Sequence, residues 1–391
     1  MTPGQLLPTP PAAPPALAAD ELGAWLHLLH SPGIGRDAAR RLLACFGSPQ
    51  GVLDAPAAER AAWLDWPYAA ALDRPPEGHA QRLAGTLAWR EAAPARRVMV
   101  LGDADYPALL LHSADPPLLL YLQGRSALLS APSLAIVGSR QASAQGLDNA
   151  RNFARVLAGH GWAIVSGLAA GIDGAAHRGA LDAGVDGGGT VAVVGTGVDQ
   201  VYPTSNKALA QRIAEQGLVV SELALGTPPL AQNFPQRNRL IAGLSRGTLV
   251  VEAALRSGSL ITARLAAESG REVMALPGSL LAPQSQGCHA LIRQGAALVT
   301  SPEQVLEELN SLPALARAGA PAAAPAAGAA GSAADDDAVL QALGPDPLSL
   351  DALIDRCGWP APTLSAHLLT LELAGQVARL PGGLYQRRGA A

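Results

Sequence analysis

Seven short apolar runs punctuate the middle of the chain: SLAIVG (133–138), WAIVSG (162–167), TVAVVG (190–195), LVVSE (218–222), GTLVVEA (247–253), EVMAL (272–276) and AALVT (296–300). Each is too short for a buried helix, most are rich in Val, and longer amphipathic stretches separate them, so strands alternating with helices are predicted. Strands apolar on both faces belong to a parallel sheet covered on both sides. The predicted fold class is α/β: a Rossmann-like, doubly wound, mostly parallel sheet.

Upstream, ELGAWLHLLHSPGIGRDAARRLLACFG (21–47) shows helical spacing on either side of a PGIG turn, the pattern of a helix-hairpin-helix or SAM-like domain. Its glycines could turn backbone N–H groups toward a phosphate, with Arg36, Arg40 and Arg41 following. The same residues also read as a purely structural helical hairpin. Downstream, AVLQAL, LSLDALIDRCG and PTLSAHLLTLELAG predict three short helices, and QVARL, Gly382-Gly383 and LYQRR predict a hairpin. Together they suggest a winged helix. Two Pro/Ala-rich stretches cannot bury enough surface to offset ordering entropy and are expected to be disordered. The predicted organisation is a tail (1–19), a helical domain (20–95), a Rossmann-like DNA-binding domain (96–311), a flexible linker (312–337) and a winged helix (338–391).

Composition narrows the function. The 391 residues are 49% hydrophobic and carry a formal charge of −4, which argues against coating duplex DNA by bulk attraction. Any nucleic-acid site must be local. With only 4% aromatic residues, base stacking is expected to contribute little. Cys45, Cys288 and Cys357 lack the spacing of a disulfide framework or a zinc site. The N-terminus lacks the cationic region of a signal peptide, and the apolar stretch near 109–122 is broken by His112, Asp115, Pro116 and Pro117. A cytoplasmic protein without a membrane span is expected.

Glycine-bearing turns follow three central strands: Gly138-Ser139-Arg140, Ser166-Gly167 and Gly195-Thr196-Gly197. Ligands collect beyond the carboxyl ends of parallel strands, so one crevice could gather all three turns. The run GTGVDQ breaks the dinucleotide fingerprint, and the phosphate-cradling GxxxxGK[ST] loop is missing, so no cofactor is predicted. Arg237, Asn238 and Arg239 open an amphipathic helix, where the dipole suits phosphate. From 232 to 264, Arg237, Arg239, Arg246, Arg256 and Arg264 against Glu252 give a net charge of +4, a local basic patch. The alternative is that these arginines pair with acidic neighbours. Ser166, Asp173 and His177 invite a hydrolytic reading, but no GxSxG elbow surrounds the serine, and Asp173 reads better as a helix-opening residue with His177 one turn on. A third metal ligand is not apparent.

The ordered set GSR (138–140), SGLAAGID (166–173), GTGVDQVYP (195–203), SE (221–222), FPQRNRLIAGLS (234–245), VVEA (250–253), SGSLITA (257–263), LPGS (276–279) and GCHALIRQGA (287–296) closely resembles the DprA (Smf) family. That resemblance implies a non-enzymatic, homodimeric protein of natural transformation that binds incoming single-stranded DNA. It further implies loading of a RecA-type recombinase, with single-strand binding protein as a further partner. By the same resemblance Arg140 and Lys207 contribute to the DNA pocket. The predicted DNA-binding residues are thus Gly138, Ser139, Arg140, Ser166, Gly167, Gly195, Lys207, Arg237, Asn238 and Arg239. A nucleotide-processing Rossmann-like enzyme is the alternative, for which Glu222 and Glu252 near strand ends are the candidate acid and base. A nucleotide-sensing regulator with a duplex-touching winged helix is a third reading. The predicted recognition helix, 362–375, contains no Lys or Arg, which favours an accessory role for that module.

Overall fold

The computed structural model describes residues 17–311 continuously and, beyond them, residues 339, 343, 348–357, 359, 364, 367–368, 370–372, 376–380 and 384–387. Both Pro/Ala-rich stretches and the Gly382-Gly383 turn lie largely or wholly outside the described residues. The chain divides into two compact units, Met1–Pro321 and Ala322–Ala391.

The first unit opens with six helices: α1 (Ala19–His30), α2 (Arg36–Phe46), α3 (Pro49–Asp54), α4 (Ala57–Arg60), α5 (Trp66–Ala71) and α6 (His79–Glu91). Local chemistry sets their ends. Gly47, at φ +79°, closes α2 with its N–H on Leu43 O (2.8 Å), a conformation that favours glycine. Ser48 Oγ then accepts from Gly51 N (3.0 Å) and Pro49 opens α3. The buried stripe of α1, with Leu22, Trp25, Leu26 and Leu28, packs on Leu42 and Val52. Truncating fully buried Leu22 to Ala would cost about 2–5 kcal/mol. The same cluster continues without a break into Val98, Tyr121 and Val219, so the helices are seated on one face of the sheet.

The sheet and its helices follow in the order β1 (Arg96–Val100), α7 (Ala108–Leu111), β2 (Leu119–Gly124), β3 (Ser133–Val137), α8 (Ala144–Gly159), β4 (Ala163–Ser166), α9 (Ile172–Asp182), β5 (Thr190–Val193) and α10 (Lys207–Gln216). Then come β6 (Leu218–Ser221), α11 (Asn233–Leu244), β7 (Gly247–Val250), α12 (Ser259–Glu268), β8 (Glu272–Ala275), α13 (Gln286–Arg293), β9 (Ala297–Leu298) and α14 (Pro302–Ser311). All seven predicted strands are present. The nine strands lie in the order β1-β2-β6-β5-β4-β3-β7-β8-β9, with β3 to β9 mutually parallel. The sequence reading missed β1 and β2, which extend the sheet in antiparallel pairing. The chain order reverses between β3 and β7, which makes that junction the switch point where an open α/β sheet leaves a crevice.

In the second unit, β10 (Leu348–Ser349), α15 (Leu350–Cys357), β11 (Val377–Leu380) and β12 (Leu384–Arg387) surround a small core of Val339, Leu343, Leu353, Leu364 and Leu368. Its strands pair in the order β10-β12-β11, all antiparallel. Among the described residues no helix is long and apolar enough to cross a membrane.

Candidate nucleic-acid interface

A crevice of about 740 Å³ opens at the β3/β7 switch point. One wall is the β3–α8 turn with Gly138, Ser139, Arg140 and Gln141; the opposite wall is the β7–α12 turn with Arg256, Ser257 and Ser259. Helix α11 closes the side with Phe234, Arg237 and Asn238, and Asp173 lies at the base. The turns are held by backbone geometry. Ser139 N donates to Glu252 O (2.7 Å), and a Cβ on Gly138 would sit 2.6 Å from Ile172 Cγ1, so glycine is required there for close packing.

Arg140 is exposed, and its guanidinium stands 5.5 Å from the centroid of the Phe234 ring. Tyr202 lies beside the same ring at 5.5 Å. Low aromatic content suggested little stacking, yet two of the few aromatic rings meet at this crevice. Among the described residues no carboxylate pairs with Arg140 or Arg256. Both cations remain available to an anionic ligand.

Arg237 behaves differently. It is buried, its guanidinium donating to Gly167 O (2.6 Å) and Val193 O, and so ties the ends of β4 and β5 to α11. Burial lowers its pKa to about 10, against the opposing pull of Asp173. It organises the crevice and presents only a small edge to it. Gly167 and Gly195 explain themselves here, since neither lines the crevice. A Cβ on Gly167 would lie 2.1 Å from Arg237 Nη1, and one on Gly195 2.9 Å from the Phe234 ring. Both were predicted as DNA-binding residues; they make room for Arg237 and Phe234.

Ser166, Asp173 and His177 form no nucleophilic triad. Ser166 Oγ is fully buried and donates to Ile136 O (2.6 Å). Thr190 Oγ1 donates to Ile164 O (2.7 Å) and therefore accepts from His177 Nδ1 (2.7 Å), which leaves Nε2 to accept from Leu168 N (3.2 Å). Burial pushes the His177 pKa down to about 3, so the ring is neutral. Asp173 accepts from Gly167 N (3.1 Å) and Ala169 N (3.4 Å); burial raises its pKa and Arg237 opposes that shift. These groups fix the β4–α9 loop, where Leu168 adopts φ +58°, a strained value for a side chain branched beyond Cβ. Asn206 completes the support by donating to Leu168 O (3.0 Å) and Ala169 O (3.1 Å). Lys207, next in sequence, is exposed at the start of α10 and is not part of the lining.

Arg239 turns away from the crevice. It pairs with Asp115 and Glu222 on the far side of α11, the ion-paired alternative to phosphate binding. Arg36 and Arg40 also converge on Asp115, and Arg41 pairs with Asp37, so the hairpin arginines are engaged within the protein. Arg264 pairs with Glu268, and Arg246 stacks over Trp162. Of the basic patch counted along the sequence, Arg237 and Arg256 reach the crevice, joined there by Arg140. Glu222 and Glu252, the candidate acid and base, face elsewhere: Glu252 accepts from Ser143 N (2.9 Å) and Ser143 Oγ at the start of α8. Sequence reasoning missed Tyr202, Phe234, Ser257 and Ser259 as lining residues. Their signal was the first residue of FPQRN, the Tyr of the YP pair and the SGS run, all present in the motifs but assigned no role.

The comparisons agree with this architecture. Residues 97–310 match the family model for DNA recombination-mediator protein A, and residues 320–383 match the DprA winged helix domain. Protein Smf of Escherichia coli is 44% identical over 311 residues, 78% of this chain and 81% of that protein. The X-ray structure of DNA processing protein A from Streptococcus pneumoniae aligns with a TM-score of 0.64 and 38% identity, covering 75% of this chain and 98% of that one. A Helicobacter pylori DNA processing protein A structure, described for its single-stranded DNA binding mode, aligns at 0.49 and 32% identity over 55% and 95% of the two chains. With one family model spanning more than half its length and a relative this similar over most of both chains, the chain belongs to the DNA recombination-mediator protein A (DprA/Smf) family and is a DNA-processing protein.

Proposed function

We propose that the crevice holds single-stranded DNA and that the protein uses it to load a RecA-type recombinase during natural transformation. The observation that carries this reading is the guanidinium of Arg140, without a carboxylate partner among the described residues and poised over Phe234 at the switch-point crevice. A single strand offers phosphates and unstacked bases together, whereas a duplex hides its base faces. Arg140 and Arg256 take phosphates, Phe234 and Tyr202 take a base, and Arg237 holds α11 against the ends of β4 and β5. Lys207 and Asn238 extend the contact along the strand. A homodimer would present two crevices and gain avidity through effective concentration. Single-strand binding protein is the competitor that such a mediator must displace.

The test is binding of a labelled oligonucleotide, single-stranded against duplex, followed by filament assembly of the cognate recombinase on DNA covered by single-strand binding protein. Addition of the protein should speed assembly, and Arg140→Ala should do so poorly. If the protein binds single strands but neither contacts the recombinase nor changes the assembly rate, strand protection replaces mediation.

A nucleotide-processing activity would have to use Asp173, the one carboxylate among the described lining residues, whose pKa burial raises. Turnover of nucleoside monophosphates by the purified protein, abolished in Asp173→Asn, would favour that reading.

A further inference from the structure

Helix α11 has two working faces. Phe234, Arg237 and Asn238 border the crevice, while Arg239 leaves the opposite side. No side chain caps the start of this helix, so its placement depends on anchors along its length. On the far side that anchor is Asp115, in the loop before β2. Arg239 Nε lies 3.0 Å from Asp115 Oδ2, Arg239 Nη1 donates to the Asp115 backbone O (2.7 Å), and Nη2 meets the Glu222 carboxylate.

The same carboxylate receives two arginines from α2 of the helical domain. Arg36 Nε donates to Asp115 Oδ2 (2.9 Å), Arg40 Nη1 to Oδ1 (2.5 Å), and Arg40 also to Pro116 O (3.1 Å). Arg36 further approaches Glu222 at 3.8 Å. Three guanidiniums thus share two carboxylates, with Asp115 touching all three. Burial alone would raise the Asp115 pKa, but Arg239, Arg40 and Arg36 hold it below its ordinary value, so the carboxylate stays charged at neutral pH. Neutralising it would leave Glu222 as the remaining carboxylate of this junction against three cations.

We propose that Asp115 is a positioning residue for the crevice: through Arg239 it fixes α11, and through Arg36 and Arg40 it makes that position depend on the N-terminal helical domain. The inference rests on the reading that the crevice holds single-stranded DNA. The helical domain then contributes to DNA affinity without touching DNA.

Arg40→Gln and Asp115→Asn test it, each in the full chain at a temperature where circular dichroism shows the variant folded. Two readouts are needed: affinity for a labelled oligothymidylate, with its salt dependence, and amide hydrogen exchange along α11. Both variants should exchange faster in α11 and bind roughly threefold to tenfold more weakly. The salt slope should stay at the wild-type value, because no phosphate contact is removed. Combining Arg40→Gln with Phe234→Ala should cost less than the product of the two losses. A role in stability alone would lower the unfolding temperature and leave affinity, salt slope and the double-variant product unaltered. Unchanged α11 exchange, or faster exchange with wild-type affinity, overturns the proposal. If the wild-type protein itself fails to bind the oligonucleotide, the DNA reading falls; α11 exchange still decides whether Asp115 positions the helix.

Discussion

Arg140 and Phe234 come from different elements of the crevice, one from the turn after β3 and the other from α11, and meet with the guanidinium 5.5 Å from the ring centroid. Arg140 brings charge to this contact and Phe234 brings an aromatic surface. Charge and stacking at this site can therefore be separated by mutation. Arg140→Ala should weaken single-strand binding and lower the slope of log affinity against log salt by about 0.7, one phosphate contact. Phe234→Ala should cost about 1–3 kcal/mol of affinity with the slope unchanged. A salt titration of both variants checks this; identical slope changes would mean that the two side chains do not divide the task.

Gly167→Ala should be severe, since the new methyl would overlap the Arg237 guanidinium, which is itself bonded to two carbonyls. A loss of about 1–3 kcal/mol in stability is expected, as for overpacked cores, together with weakened DNA binding. Gly159→Ala is the control. Its Cβ would meet nothing within 4 Å at the end of α8, and replacing a helical glycine should gain up to about 1 kcal/mol. Urea unfolding of the two variants measures both effects.

Stability should fall on mild acidification, and His177 gives the sign. Its pKa is about 3 in the folded protein and near 6.5 when unfolded, so below pH 6.5 the unfolded chain binds a proton that the folded state refuses. The stabilisation present above pH 6.5 is lost at about 1.4 kcal/mol per pH unit as the pH falls toward 3. His27, His30 and His79 have pKa values lowered by burial and act in the same direction. Unfolding free energies between pH 7.5 and 5 should show this loss, and His177→Gln should remove the share of one proton from it. An unchanged pH slope in that variant would contradict the neutral, buried ring.

A chain ending at Ala334 should keep most of its affinity for single strands. From residue 338 onward, Arg356, Arg379, Arg387 and Arg388 are matched by Asp346, Asp351, Asp355 and Glu372, which leaves no net attraction for DNA. Anisotropy titration of the shortened chain measures this, and a large loss would place part of the DNA site in the winged helix.

Strands β3 to β7 were legible because each is a short, mainly apolar run buried on both faces; β8 and β9 were legible as Val/Leu-bearing runs although they are only partly buried. Strand β1, RRVMV, begins on two arginines, and β2 lies inside an apolar stretch whose prolines drew attention to its breaks. Neither stood out in that way. The candidate site was legible in Arg140, Arg237 and Asn238. It was misread at Gly167 and Gly195, because sequence does not tell a glycine that admits a ligand from one that admits a neighbouring side chain. The separation of Arg237 from Arg239 was available all along: two residues apart on a helix is roughly 200° of rotation, so both could not face one ligand.

The reversed direction of β2 has a consequence for how the molecule is wired. Pairing Tyr121 with Ser221 and Gly124 with Leu218 sets the beginning of β2 beside the end of β6. The segment that enters β2 is thereby delivered to the same rim of the sheet as the crevice, and Asp115 arrives there with it. A parallel strand in that place would have left the carboxylate at the opposite rim, a strand's length from Glu222 and Arg239. One inverted strand, second from the edge of an otherwise parallel sheet, thus determines which helices of the protein can share an electrostatic anchor.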